Sequence, residues 1–199
     1  MRSEMARIRE ISEQVMPGKW NEVQFALTAF LARGHALIED VPGMGKTTLV
    51  RFMARIFGLA MKRVQFTNDL LPADILGVSI YRAETREFQF RPGPVFAELV
   101  LADELNRAPP KTQSALLQAM EERMVSIEGG DYPLPPLFTV MATQNPRGML
   151  GTFPLPESQL DRFMMKFSMG ALAREAELSL LAGPSRREMV DHMDPLFST

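Results

Sequence analysis

The chain has 199 residues, 46% of them hydrophobic and 23% charged, enough to bury one sizeable core. A formal net charge of −2 offers none of the basic excess that following a nucleic-acid backbone requires, and the absence of cysteine excludes disulfides, thiol nucleophiles and zinc-thiolate sites. No run approaches the roughly 20 apolar residues of a membrane span and the first residues lack a signal-peptide core, so a reducing cytoplasm is the expected setting.

Met5, Ile8, Ile11 and Val15 recur at helical spacing and predict an amphipathic helix that ends before Pro17-Gly18. A second helix carries Val23, Ala26, Leu27, Phe30 and Leu31, and residues 1–34 are expected to pack as helices on the core that follows. Residues 35–41 read as a short apolar strand running into a Gly-rich turn, after which Leu49, Val50, Met53, Ile56 and Phe57 mark another helix. Strands are expected at 62–66, 98–102 and 138–143, a fifth around Met164-Met165, and a Pro-opened helix at 110–123. Two hairpins fit residues 78–90 and 124–138. Alternating strands and helices, with strands apolar enough to be covered on both faces, argue for an α/β fold around a mostly parallel sheet. Residues 174–182 fit one more helix, whereas 184–199 show no long periodic segment.

The turn after the first strand reads Asp40-Val41-Pro42-Gly43-Met44-Gly45-Lys46-Thr47-Thr48. Its Gly-Lys-Thr ending is what a phosphate needs: small residues let backbone N–H groups converge on oxygens, the helix start adds a positive dipole end, and Lys46 supplies a point charge. Thr47 can place its hydroxyl on magnesium. Residues Pro42 to Thr48 are therefore the expected phosphate-binding loop of a nucleotide site. Asp40 stands where the eight-residue pattern has its first Gly, so the weight of the match falls on the strand before and the helix after. A plain Pro-Gly helix cap with Lys46 in solvent is the bland alternative.

About 57 residues on, the strand at 98–102 runs into Asp103-Glu104, which places two carboxylates at the C-terminal edge of the sheet, where open α/β folds bind ligands. Asp103 can hold magnesium through water, leaving Glu104 to orient and polarise an attacking water. Such a pair on its own often just opens a solvated loop. His35 and His192 have no metal-ligand partners at useful spacing. The 15 methionines are read as core filler, and Trp20 as a residue packed on the domain body.

Taken together, EDVPGMGKTT, FTNDLLPADILG, FQFRPGPVF, LADELNRAPPKTQSALLQAMEER, MATQNP and PLPESQLDRF resemble the MoxR branch of the AAA+ ATPases, in the family's order and across residues 35–167. The resemblance implies a P-loop NTPase fold, an αβα sandwich on a five-stranded sheet, with the two hairpins as the helix 2 and pre-sensor 1 inserts. It implies that Asn145 reads the γ-phosphate at the sensor 1 position, a job an amide suits as donor and acceptor. It also implies that Arg162 is an arginine finger for a neighbouring copy's nucleotide. A turn-initiating Asn before Pro146, and a local ion pair of Arg162 with Asp161 or Glu157, are the competing readings. At Gly18-Lys19 the family usually has Gly-Gln near the adenine. Residues 35–170 would be the ATPase core, and 171–199 a linker or the start of a truncated helical lid.

The function so implied is magnesium-dependent ATP hydrolysis by a ring of copies, a hexamer, that remodels or activates a client complex, with a von Willebrand factor A protein as partner. A chelatase-type AAA+ subunit driving metal insertion and a nucleotide-gated interaction module without turnover are the alternatives. No Asn-Lys-x-Asp segment supports guanine, and no acceptor pocket for a small-molecule kinase is evident.

Overall fold

The computed structural model describes residues 2–146, 151–171 and 185–197. In chain order the elements are α1 (Arg2–Val15), α2 (Trp20–Leu31), β1 (Ala36–Glu39), α3 (Lys46–Ile56), β2 (Met61–Gln65), α4 (Pro72–Leu76), β3 (Gly77–Arg82) and β4 (Glu87–Pro92). They continue as β5 (Leu99–Asp103), α5 (Pro110–Glu122), β6 (Met124–Ile127), β7 (Gly130–Pro133), β8 (Thr139–Gln144), α6 (Glu157–Leu160), β9 (Met165–Phe167) and α7 (Arg186–Asp191). The helix read at 174–182 lies outside the described residues.

Five strands pair in the order β2-β5-β8-β1-β9, every neighbour parallel. Alternation along each strand then divides the apolar residues between two cores. Ala36, Ile38, Leu99, Leu101 and Met141 face one side, with α1, α2 and α3; Leu37, Val100, Ala102, Val140 and Ala142 face the other, with α5. Both faces of the central strands are thus covered, which is why β1, β5 and β8 are buried and mostly apolar, whereas the edge strand β2 is largely polar and exposed. Phe52, Phe66 and Phe138 are wholly enclosed, each stabilising the fold by roughly 1.5–3 kcal/mol through burial.

Because β1 sits between β8 and β9 while the chain leaves it for the far edge at β2, the C-terminal ends of β1, β5 and β8 meet at one edge. That edge is where an open α/β sheet opens a crevice. The phosphate loop follows β1, and β5 ends on Asp103, one residue further than the sequence reading placed its strand.

The hairpins β3–β4 and β6–β7 stand apart from this sheet as two antiparallel pairs. Phe90 of β4 stacks on Tyr132 of β7, ring centroids 3.9 Å apart, so the inserts touch one another. At the base of the first, Gly77 (φ +106) and Gly93 lie against each other's backbone, and a Cβ on Gly93 would strike the Ile75 carbonyl. Only glycine lets the hairpin leave and rejoin the chain at that point.

Residues 185–197 return to the first core: Val190 is fully buried, Leu196 and Phe197 donate backbone N–H bonds to the Ile56 carbonyl, and Arg51 of α3 pairs with Asp191 at 2.8 Å. Trp20 packs against that core beneath the Arg9 guanidinium, as read from the sequence. Met164, by contrast, precedes β9 and is about half exposed, so core filling does not describe it.

Candidate active site

Between β1 and α3 the chain turns through Gly43 (φ +88) and Gly45 (φ +85), left-handed conformations that cost glycine little. No side chain caps the start of α3, which leaves its first N–H groups turned to whatever anion the loop encloses. Asp40, the departure from the loop pattern, has a structural reason. Its Oδ2 accepts from the Ser168 hydroxyl at 2.9 Å and the Gly170 N–H at 3.0 Å, and its Oδ1 from the Val41 N–H, tying the loop to the exit of β9. Burial works to raise its pKa, but these bonds and the charge of Lys46 outweigh it and hold the carboxyl below its ordinary value.

Lys46 is buried, with Nζ donating to the carbonyls of Asp40 at 2.5 Å and Val41 at 3.1 Å. Desolvation lowers its pKa, opposed by the carboxylates of Asp40, Asp103 and Glu104.

Across the crevice, Thr143 of β8 organises the acidic pair. Its hydroxyl donates to Asp103 Oδ1 at 2.7 Å and accepts the Glu104 N–H at 2.8 Å. Asp103 Oδ2 accepts from Arg63 of β2, Nη2 at 2.6 Å and Nε at 3.1 Å. Glu104 sits at φ 57, ψ 46, a left-handed conformation rare outside glycine. Its Oε1 accepts from Asn145 Nδ2 at 3.3 Å, its Oε2 from Gln65 Nε2 at 3.0 Å and Arg107 Nη1 at 3.1 Å.

Asn145 is fixed by reciprocal bonds with Asn106: its N–H donates to Asn106 Oδ1 and its carbonyl accepts from Asn106 Nδ2. Its own Oδ1 is buried with no hydrogen-bond partner. A buried acceptor left open costs free energy unless a ligand or water completes it.

These groups enclose a cleft of about 390 Å³. Of the residues expected from the sequence, Pro42, Gly43, Gly45, Lys46, Thr47, Thr48, Asp103, Glu104 and Asn145 line it. Met44 turns instead into a mainly apolar hollow of about 200 Å³ on the other side of the loop, with Val15, Met16, Pro17 and Met169. Lys19, from the Gly18-Lys19 departure, borders that hollow and donates to the carbonyls of Met169, Gly170 and Ala171. Arg162 follows α6, is absent from the cleft lining, and pairs with Glu121 of α5 rather than with Asp161 or Glu157. A larger apolar hollow of about 590 Å³ between α1 and α2 holds a single acid, Glu4, and no convergent polar set.

Sequence reasoning missed Arg63, Gln65, Asn106 and Thr143. Arg63 and Gln65 alternate on β2, and the register of Gln65 on Asp103 is what brings them to the site. The polar i, i+2 pair Arg63 and Gln65, on a strand whose end lies at the site's edge of the sheet, was the available signal.

The donor set fits magnesium: one hydroxyl, Thr47, and one carboxylate, Asp103, are hard oxygens, and this ion usually takes one or two protein ligands and completes its shell with phosphate and water. Among the described residues no group of three or more His, Cys, Asp or Glu could hold a metal by itself. The open Oδ1 of Asn145 beside Glu104 likewise fits a ligand-borne water or hydroxyl.

Residues 35–165 match the family model described as ATPase family associated with various cellular activities (AAA). The chain is 51% identical over 185 residues to the uncharacterized protein YeaC of Bacillus subtilis, covering 93% of this chain and 58% of that one. It is 47% identical over 169 residues to chaperone MoxR1 of Mycobacterium tuberculosis, covering 85% and 45%. Protein MoxR of Methylorubrum extorquens is 36% identical over 194 residues, covering 95% and 53%. The chain therefore spans about half the length of these relatives. A crystal structure from Cytophaga hutchinsonii, described as that of a candidate ATPase, superposes with a TM-score of 0.76 at 38% identity, covering 99% of this chain and 62% of that one. With its loop, acidic pair and all-parallel sheet in agreement with those matches, the chain belongs to the AAA+ ATPases, in their MoxR branch.

Proposed function

We propose that this chain is the nucleotide-binding core of a magnesium-dependent ATPase that works at the interface between copies, residues 35–170 forming the ATPase unit. The observation that carries the reading is the convergence of Lys46, Thr47, Asp103, Glu104 and Asn145 on one cleft, with the Asn145 Oδ1 left open there.

The loop N–H groups and the start of α3 receive the phosphates, and Lys46 trades its loop carbonyls for phosphate oxygens, where its charge is better matched. Thr47 and Asp103 hold the cation. Magnesium bound there with ATP would supply charge neutralisation for the transferring phosphoryl group. Glu104, fixed by Gln65, Arg107 and Asn145, accepts a hydrogen bond from the attacking water and aligns it in line. Asn145 donates to Glu104 through Nδ2 and offers Oδ1 to the same water. The apolar hollow beside Met44 is of a size and character to take the adenine. Arg162, outside its own cleft, serves a neighbouring copy's nucleotide, where a planar guanidinium matches the spread charge.

A ring of identical copies, six in number, acting in the cytoplasm as a chaperone-like activator of a client complex with a von Willebrand factor A partner, extends this reading along the MoxR resemblance. ATP hydrolysis by the chain, followed against its own concentration with magnesium present, tests it. Specific activity that rises steeply with concentration supports a site completed by a neighbour; the absence of ATP binding, measured by calorimetry, overturns the reading at its base.

A further inference from the structure

The cation position at Asp103 is not bare in this chain. Its carboxylate is largely buried, and Oδ1 is committed to Thr143, so Oδ2 is the oxygen free to serve the cleft. That oxygen receives both Nε and Nη2 of Arg63. A guanidinium and a hydrated magnesium ion cannot share one carboxylate oxygen on the same side.

We propose that Arg63 is a tethered counter-ion, which holds the cation position at Asp103 until magnesium-bound nucleotide takes it. The inference rests on the reading of the cleft as a magnesium–nucleotide site, and three observations support it. Arg63 lines the same cleft as Thr47 and Lys46, so its head group stands where the ion would arrive. Its side chain is about half exposed, so it can leave without opening the core. It has somewhere to go: Nη2 already donates to Gln65 Oε1 at 2.9 Å, and Gln65 in turn holds Glu104.

Charge gives the device its logic. Among the residues that line the cleft, Lys46 and Arg63 match the charges of Asp103 and Glu104, with Arg107 paired to Glu104 beside it. Without Arg63 the Asp103 carboxylate would lose its paired cation, leaving a charge that repels free nucleotide and attracts the divalent ion early. A purely structural bond between β2 and β5 is an insufficient account, because the strands already pair at five positions and a half-exposed ion pair adds little.

The test measures binding of a fluorescent ADP to the whole chain, first in EDTA and then across a magnesium titration, for the parent, Arg63→Gln and Arg63→Lys. The expectation for Arg63→Gln is about two- to five-fold weaker binding in EDTA and a magnesium half-point lower by a similar factor, matching the loss of an exposed ion pair, with Arg63→Lys between. A half-point unchanged or raised in both variants overturns the proposal. Should the variants fail to fold, the Arg63 Nε–H resonance of the parent decides: it must shift when magnesium is added to the ADP complex, and a static signal overturns the proposal equally. Absence of nucleotide binding by the parent would instead defeat the reading of the cleft itself.

Discussion

Glu104 occupies a left-handed backbone conformation that costs a residue with a Cβ of order 1 kcal/mol or more, and the fold sustains it with the Thr143 bond to its N–H and three donors on its carboxylate. Such over-determination points to a side chain whose position matters. Replacing it by Gln keeps shape and removes charge, so Glu104→Gln is expected to bind ATP within about two-fold of the parent while turnover falls about 10²- to 10⁴-fold, the range for losing a positioned base. Nucleotide titration alongside a phosphate-release assay checks both halves, and turnover near the parent's would remove Glu104 from its assigned role. At this scale the loop and the acidic pair were legible because each is contiguous in sequence. Arg63, Gln65, Asn106 and Thr143 were not, since they reach the site through strand register and through loops some 40 residues apart. Arg162 was half legible: its type and place could be read, but its partner Glu121 lies on another helix and follows from packing alone.

Elements were easiest to read where a period was sustained. The five sheet strands, the loop helix and the Pro-opened α5 fall within a residue or so of their expected positions, because buried strands and amphipathic helices leave strong patterns. The five-residue α4 and six-residue α7 are too short for a period, and tertiary packing decides them: Ile75 and Val190 are each fully buried. His35 shows how elements are pinned. At the start of β1 its Nδ1 accepts the Val140 N–H of β8 at 2.9 Å and its Nε2 lies 3.3 Å from the Met120 carbonyl of α5, edge-on to Phe138. Burial foremost, with the nearby Arg123 charge, lowers its pKa to about 4 from 6.5, against the pull of the Met120 carbonyl. Between those values the unfolded chain binds a proton that the folded chain refuses. Stability from this residue is therefore complete above pH 6.5, declines as pH falls toward 4, and levels off below, by about 3 kcal/mol at most. His35→Gln keeps an acceptor and a donor without titrating, so urea midpoints of this variant are expected to fall less steeply than the parent's between pH 6.5 and 4. Parallel pH profiles would assign the acid sensitivity elsewhere.

For the molecule as a whole, the cleft collects loop, carboxylates and amide from three adjacent strands of one sheet, yet Arg162, proposed to complete phosphoryl transfer, lies outside its lining. In the single chain Arg162 pairs with Glu121 while its buried Nε finds no hydrogen-bond partner, so in the proposed split site a neighbour's phosphate would have to draw it from that exposed carboxylate. An exposed ion pair contributes only about 0.2–1 kcal/mol, a small barrier beside charge-assisted bonds to a phosphoryl group. The proposed reading therefore splits the site between copies, and such a split has a signature that no single-chain mechanism reproduces. Arg162→Ala alone and Glu104→Gln alone are each expected to be nearly inactive. Mixed in equal amounts, about one interface in four should join an intact Glu104 to a neighbour's intact Arg162, restoring activity toward a quarter of the parent's if copies associate head to tail and exchange freely. That recovery should grow with total concentration, because it depends on assembly. If both variants fold, exchange and bind ATP but their mixture stays inactive at every concentration, Arg162 does not act across an interface, and its pairing with Glu121 is then its whole role.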